Sequence, residues 1–464
     1  MESLQESANT YRLIVTRRNA TEILVLPNGS GWTLPRIEIH PQQRLAEQLT
    51  AKIARAWGLE AYCLFVPSAR MGDPDGDARC ALMESIRHND KSPAGTYWMP
   101  PSVATRCGDS PDADAISKSL IELDSYTKSE NAGPFAKPGW LRELFRWSQE
   151  QVAPLGLRLN GRFKQLNASP TFSLIRLEAD EGAIWFKATG KPNAHEPPVT
   201  VALTSLFPGY LPQILGVHRA WNGLLSAEAT GSLLDEIAEF SAWEQAAEKL
   251  AELQIESIGK VAELLEAVQL KDLRLPKLAQ RIDPFVTRMI TLMAAQEKPT
   301  PAPFVESELA TLAEGLKESC ALLESFGLPN TLGHLDFSPG NILVSGDRCA
   351  FLDWAEACVT NPLLTFEYLR EHMARSGIEE PAAGERLAAS YLRPWVSFYS
   401  PNDLRRALTL SPLIAVFAYA VANDSWRSSD VAHDPRRAGY FRSLTRRMYR
   451  EAIRVAGRSE LCLS

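Results

Sequence analysis

The stretch Thr331-Leu332-Gly333-His334-Leu335-Asp336-Phe337-Ser338-Pro339-Gly340-Asn341-Ile342-Leu343-Val344 decides the reading of this chain, and Phe351-Leu352-Asp353-Trp354 completes it. Reduced to its polar residues the pattern is His-x-Asp-x4-Asn. A strand, a turn at Ser345-Gly346-Asp347 and a second strand ending in Asp follow. Apolar residues flank each polar one. A polar loop followed by a hairpin brings three oxygen-bearing side chains into one cleft. Such a set fits metal-assisted phosphoryl transfer. Mg²⁺ takes hard oxygen ligands in near-octahedral geometry. A carboxylate (Asp353) and an amide oxygen (Asn341) share such ions with phosphate oxygens, which leaves Asp336 to accept a substrate hydroxyl proton or orient that hydroxyl. Little covalent work is required, because positioning and charge neutralisation supply most of the rate.

Upstream, Ala183-Ile184-Trp185-Phe186-Lys187-Ala188 is an apolar strand interrupted by one lysine. An unpaired charge facing a core is expensive, so Lys187 needs an anionic partner, unless it lies on an edge strand in solvent. The nearest candidate is Glu196, ahead of Pro197-Pro198, which would start a helix through Leu203 and Leu206. A helix-start carboxylate serving the macrodipole is the other reading of Glu196. Asn167-Ala168-Ser169-Pro170-Thr171-Phe172-Ser173 joins two strands without a glycine. Its small hydroxyl residues can offer donors to phosphate, and an ordinary hairpin turn fits the same residues. No Gly-x4-Gly-Lys-Ser/Thr occurs anywhere, which excludes a P-loop enzyme by motif.

These motifs together resemble the aminoglycoside phosphotransferase and choline kinase group, which has the protein-kinase-like fold, over roughly residues 140–464. The resemblance implies Asp336 as catalytic base, Asn341 and Asp353 as Mg²⁺ ligands, and His334 as a brace of the loop. It implies that Lys187 holds the α/β-phosphates of ATP or GTP, steadied by Glu196, beneath a loop carrying Ser169 and Thr171. Phe207-Pro208-Gly209-Tyr210-Leu211-Pro212 looks like the group's connection to the next strand. The group often has Gly-Asp-Pro-x-x-Asp after the second metal ligand; here the run is Asn361-Pro362-Leu363-Leu364-Thr365, with Thr365 where Asp is usual. The implied activity moves a γ-phosphoryl group to a hydroxyl of a small molecule. Acceptor contacts are expected from residues 240–330 and 360–464. The alternative is a pseudokinase that holds nucleotide or ligand without turnover; the retained Lys187, Asp336, Asn341 and Asp353 speak against it.

The beginning of the chain has a different texture. Tyr11–Thr16 and Glu22–Leu26 read as two strands, Gly29–Pro35 as a turn-rich segment, Leu45–Trp57 as a helix stopped by Gly58, and Ala61–Val66 as a further strand. This layout resembles a Nudix domain. With Leu34-Pro35 fixing the register, the first Gly of the Nudix box falls on Ile37 and its first Glu on Gln43. Its Arg-Glu pair falls on Ala51-Lys52, its Glu-Glu pair on Arg55-Ala56, and its final Gly on Gly58, followed by Leu59. The spacing is kept while the carboxylates that would hold divalent cations are gone, so the resemblance implies a non-catalytic module.

The expected fold class is α+β. A Nudix-like α/β sandwich over residues 1–134 precedes a bilobal kinase-like domain over 135–464, with a β-rich lobe at about 155–230 and a helical lobe at about 231–464. Composition agrees with two or three globular domains: 464 residues, 45% hydrophobic and 23% charged. The 49 basic and 56 acidic residues give 49 − 56 = −7, which supplies no basic footprint for nucleic acid. Residues 73–138 read as weakly structured, rich in Gly, Pro, Ser and Asp. Apolar periodicity places helices at Trp140–Val152, at Leu250–Val268 and at Leu309–Leu323. Seven dispersed cysteines without a Cys-x-x-Cys pair argue against structural zinc and fit buried thiols in a reducing cytoplasm. No secretory leader and no membrane-length apolar run is readable, so the expectation is a cytoplasmic protein without membrane or nucleic-acid partners. His40, His88, His218, His372 and His433 read as surface or loop residues. The arginines from Arg436 to Arg454 read as one solvated face of a helix.

Overall fold

The computed structural model describes residues 8–29, 31–40, 43–67, 78–86, 91–106, 111–128 and 134–461. The Gly72–Asp77 loop, His88, Cys107 and Cys462 lie outside them. The chain divides into two units. One is Met1–Pro197 with Gln213–Glu228, the other Pro198–Pro212 with Ala229–Ser464. Mixed α+β architecture is found, as expected.

The first unit begins with β1 (Asn9–Arg17), β2 (Glu22–Asn28), β3 (Gly31–Thr33), β4 (Arg36–Ile39), α1 (Leu45–Trp57), β5 (Ala61–Phe65), β6 (Ala78–Ser85) and β7 (Tyr97–Met99). The short α2 (Pro101–Ala104), α3 (Pro111–Lys128) and α4 (Trp140–Val152) follow. The strands form one sheet in the order β3-β2-β1-β6-β5, with β4 on β1, β7 on β2, and β1 parallel to β6. Every residue of β1 from Tyr11 to Arg17 is buried, because both sheet faces are covered. Leu13 and Val15 meet Leu49 and Ile53 of α1 on one face; Ile14 enters a second core on the other. Gly58 ends α1 at φ +62°, the left-handed cap that its sequence position predicts.

Two elements correct the expectation of weak structure over 73–138. Strand β6 is central, and α3 is an 18-residue helix. Asp112, in the first turn of α3, is buried and accepts from the Thr33 hydroxyl and the Leu34 N–H, both at 2.8 Å. It thereby pins the Gly-Trp-Thr-Leu-Pro turn.

A second sheet in the same unit comprises β8 (Leu159–Ala168), β9 (Ser173–Ala179), β10 (Ala183–Ala188), β11 (Ile214–His218) and β12 (Gly223–Ala227). It is antiparallel throughout, in the order β11-β12-β10-β9-β8. Ile175, Leu177, Ile184 and Phe186 of this sheet share one core with Ile14, Leu64 and Leu82 of the first sheet and with Trp140, Leu141 and Leu144 of α4. Between β10 and β11, α5 (Glu196–Leu206) begins with Glu196 and Pro197 in the first unit and continues into the second.

In the second unit come β13 (Ser232–Leu233), α6 (Phe240–Ser257), α7 (Val261–Glu266), β14 (Lys271–Leu273), α8 (Leu275–Ala294) and α9 (Glu306–Ser325). The chain continues through β15 (Thr331–His334), β16 (Ile342–Ser345), β17 (Arg348–Phe351) and β18 (Ala357–Thr360). It ends with α10 (Pro362–Arg375), α11 (Ala383–Leu392), α12 (Pro401–Val421) and α13 (Pro435–Leu461). Two three-stranded sheets, β13-β16-β17 and β14-β18-β15, are embedded in the helices. Among the described residues α12 alone has the length and hydropathy of a membrane span, and 72% of that window is buried in the protein core. The arginines of α13 correct the solvated-face reading. Arg437 donates to the Ser425 carbonyl, Arg442 to the Leu292 carbonyl, and Arg446 to Gln296 and the Pro301 carbonyl. They dock α13 onto chain segments whose carbonyls lack helical partners, while Arg436, Arg450 and Arg454 are exposed. His218 is half-buried and stacks on Trp221 at 4.1 Å, and His372 is also half-buried, whereas His40 and His433 are exposed.

Candidate functional site

The decisive stretch folds as its pattern predicts: strand β15, a loop carrying Asp336, one turn of 3-10 helix at Pro339–Asn341, and the β16–β17 hairpin. All four residues of β15 are buried, and His334 is 1% exposed. Gly333 is required by its neighbours. A Cβ there would stand 2.6 Å from Thr360 Cγ2, 3.0 Å from Cys358 Sγ and 3.1 Å from Thr365 Oγ1.

The His334 imidazole joins two segments. Its Nδ1 accepts the Asp336 N–H at 3.1 Å, and its Nε2 lies 3.0 Å from the Leu352 carbonyl. A carbonyl only accepts and an amide N–H only donates, so these partners fix the neutral tautomer with the proton on Nε2. Burial pushes the His334 pKa below its ordinary value, which favours the same neutral form. The expected brace of the loop is thus a buried imidazole that ties Asp336 to the residue preceding Asp353.

Asp336 is exposed at the loop surface. Its carboxyl is nevertheless held above the ordinary carboxylate range, first by desolvation, with the Asp353 charge adding to the effect against the opposing field of His334. A raised carboxyl accepts a proton more readily, which suits a base. Asn341 Nδ2 donates to the Asp336 main-chain carbonyl at 2.9 Å and lies 3.3 Å from Asp336 Oδ2. Both partners are acceptors, so the amide nitrogen faces them and Oδ1 is turned away from Asp336. Asp353 stands just past β17 at φ +61°, a strained conformation for a non-glycine residue and one that clusters at functional positions. The Leu352 N–H bonds the Asn341 carbonyl at 2.8 Å, which holds the backbones around the two expected ligands together. Among the described residues no three His, Cys, Asp or Glu side chains form a metal-binding group. The expected donors, an amide oxygen and a carboxylate, are of hard-oxygen chemistry.

In the first unit, β10 alternates. Phe186 enters the core, and Lys187 projects from the other face, with its side chain 24% exposed. Its Nζ meets Glu196 Oε1 at 2.5 Å, and Glu196 is itself 5% exposed. The anionic partner demanded by the lysine is therefore Glu196, at the first position of α5. The Ser169–Phe172 turn is tight: the Phe172 N–H donates to Ser169 Oγ at 2.9 Å, and the Ser169 N–H to the Phe172 carbonyl at 3.1 Å. Ser169 thus engages its own turn. Thr171 packs so closely on Gly190 that a Cβ there would lie 2.5 Å from the threonine Cβ.

Sequence reasoning did not find Lys271 and Glu356. They pair at 2.6 Å, and the Glu356 carbonyl accepts the Leu335 N–H at 3.1 Å, one residue before Asp336. Glu356 lies three residues past Asp353, and that proximity was the available signal.

Residues 204–398 match the phosphotransferase enzyme family, a span containing His334, Asp336, Asn341 and Asp353. No curated protein matches the chain. Among solved structures, a choline kinase from Cryptosporidium parvum Iowa II is 11% identical with a TM-score of 0.48, covering 69% of this chain and 97% of its own. A Plasmodium vivax ethanolamine kinase is 15% identical with a TM-score of 0.44, covering 66% and 84%. A GDP complex of wild-type aminoglycoside 2'-phosphotransferase-IIIa is 14% identical with a TM-score of 0.43, covering 66% and 97%. Similarity at this level says nothing about which acceptor is used. The family match over residues 204–398 supports a phosphotransferase acting on hydroxyl groups.

Proposed function

We propose that this protein transfers the γ-phosphoryl group of ATP or GTP to a hydroxyl of a small molecule, with Asp336 as the base. The observation that carries this reading is the His334 link, which holds the Asp336 main chain and the residue preceding Asp353 on one imidazole. Asp336 accepts the acceptor hydroxyl's proton as its oxygen attacks, and Lys187, steadied by Glu196, takes donor phosphate charge. Asn341 Oδ1 and the Asp353 carboxylate would hold Mg²⁺, which would neutralise charge on the phosphates. The test is incubation with Mg²⁺-ATP and a panel of hydroxylated metabolites and aminoglycosides, followed by measurement of ADP and phosphorylated product. Absence of product across a broad panel, with nucleotide still bound, would favour the pseudokinase. Asn341→Ala and Asp353→Ala should each shift the Mg²⁺ titration at fixed ATP to higher concentration. An unchanged titration in both variants would remove them from the metal site.

We further read the first sheet with α1 as a Nudix-like module without its metal site. Lys52, at an expected glutamate position, donates to the Glu38 carbonyl, and Arg55 is exposed. Cations at these positions repel a divalent ion. The full-length Asp336→Asn protein should show no Mg²⁺-dependent hydrolysis of nucleoside diphosphate derivatives. Hydrolysis that disappears on replacing residues around Lys52 would overturn this reading.

A further inference from the structure

Thr365 is fully buried on the first turn of α10. Its Oγ1 accepts the His334 N–H at 3.0 Å, the backbone amide of the same residue whose ring holds Asp336. That amide faces a sheet edge crowded by Thr360 and Cys358, where only glycine fits at 333. The close approach of Gly333 to Thr365 is what lets the hydroxyl reach His334.

The helix presenting Thr365 is itself anchored. Asn361 caps α10, its Oδ1 accepting the Leu363 N–H at 3.1 Å. The Pro362 carbonyl accepts from Gln254 Nε2 at 2.9 Å, and Gln254 Oε1 accepts from the Tyr391 hydroxyl at 2.8 Å. Gln254 and Tyr391 are both fully buried. A continuous chain of bonds therefore runs from α6 and α11 through the start of α10 to His334 and on to Asp336.

We propose that Thr365 is a positioning residue for phosphoryl transfer, its hydroxyl fixing the height of the Asp336 loop against α10. This rests on the reading of Asp336 as the base. One neutral acceptor on a short side chain does the holding. Removing the hydroxyl leaves a buried N–H without an acceptor, and the loop then gains freedom to seek another partner. The loss falls on placement of the base and spares nucleotide affinity, because Thr365 lies in the core behind the loop.

The test compares the full-length wild type with Thr365→Val, which keeps the shape and loses the acceptor, and Thr365→Ser, which keeps the acceptor. Hydrogen exchange at the His334 amide and turnover of Mg²⁺-ATP, with water as acceptor, are read alongside ATP affinity and the melting temperature. Thr365→Val should lose tenfold or more in amide protection and in turnover with ATP affinity unchanged, and Thr365→Ser should restore both. Unaltered protection of the His334 amide in Thr365→Val would overturn the proposal. So would turnover within twofold of wild type while Asp336→Asn is inactive. Full turnover by Asp336→Asn would instead sink the assignment of the base.

Discussion

Replacing Asp336 by Asn should cut phosphoryl transfer by about 10²–10⁴-fold while nucleotide still binds, the usual cost of losing an oriented base. The substitution is well suited to the question. Asn keeps the size of Asp and an oxygen that can face Asn341 Nδ2. The loop is held by main-chain bonds that the change does not touch: the Asp336 N–H on His334, and the Asp336 carbonyl on Asn341 and the Ser338 N–H. Only the capacity to take a proton is lost. Measuring turnover on the true acceptor beside calorimetric affinity for Mg²⁺-ATP separates chemistry from binding. Wild-type turnover in the variant would show that Asp336 is not the base. Matching losses of affinity and rate would mean that the carboxylate serves the nucleotide instead.

The parts of this site that are local in sequence were legible. His334 to Asn341 and the hairpin to Asp353 are one short run, and residue type with spacing suffices to order it. The Lys187–Glu196 pair was legible through a cost: a lysine inside an apolar strand demands an anion, and one carboxylate stood within reach. The bond from His334 to Thr365 was not legible, because the two residues stand 31 apart and a threonine's type alone does not say which N–H it accepts. Strand β6 and helix α3 were missed for a different reason. The buried face of α3 includes Ala113, Ala115 and Ser119, whose small side chains give only a faint apolar period beside Ile116 and Leu123. Arg79 and Glu84 break the apolar run of β6 at its two ends.

A chain beginning near Pro134 should fail to accumulate as a soluble, cooperatively melting protein, although the resemblance to phosphotransferases begins at about that point. Phe135, Trp140, Leu141 and Leu144 lie in one core with Tyr62, Leu64 and Leu82 of the first sheet and with Ile184 and Phe186 of the second. Tyr62 and Trp140 meet edge to face at 5.7 Å. Glu84, 1% exposed, accepts the Gly139 N–H at 2.6 Å at the start of α4. Gln165 on β8 is also 1% exposed and bonds both the N–H and the carbonyl of Cys63, at 2.8 and 2.9 Å. Its side chain thus continues the ladder at the edge strand β5. Each buried truncation in such a core costs about 2–5 kcal/mol, against a total stability of about 5–15 kcal/mol. Removing the whole first sheet therefore exceeds what the remainder of that core can absorb. A milder variant keeps the question open to measurement in the full chain. Gln165→Leu leaves two buried backbone groups without partners, at about 1–3 kcal/mol each, and should lower the melting temperature without abolishing folding. A soluble shortened chain that melts like the intact protein, or an unshifted melt in Gln165→Leu, would show that the two sheets are independent. The expected result makes them one folding unit, in which the first sheet covers a face that the sheet bearing Lys187 needs covered.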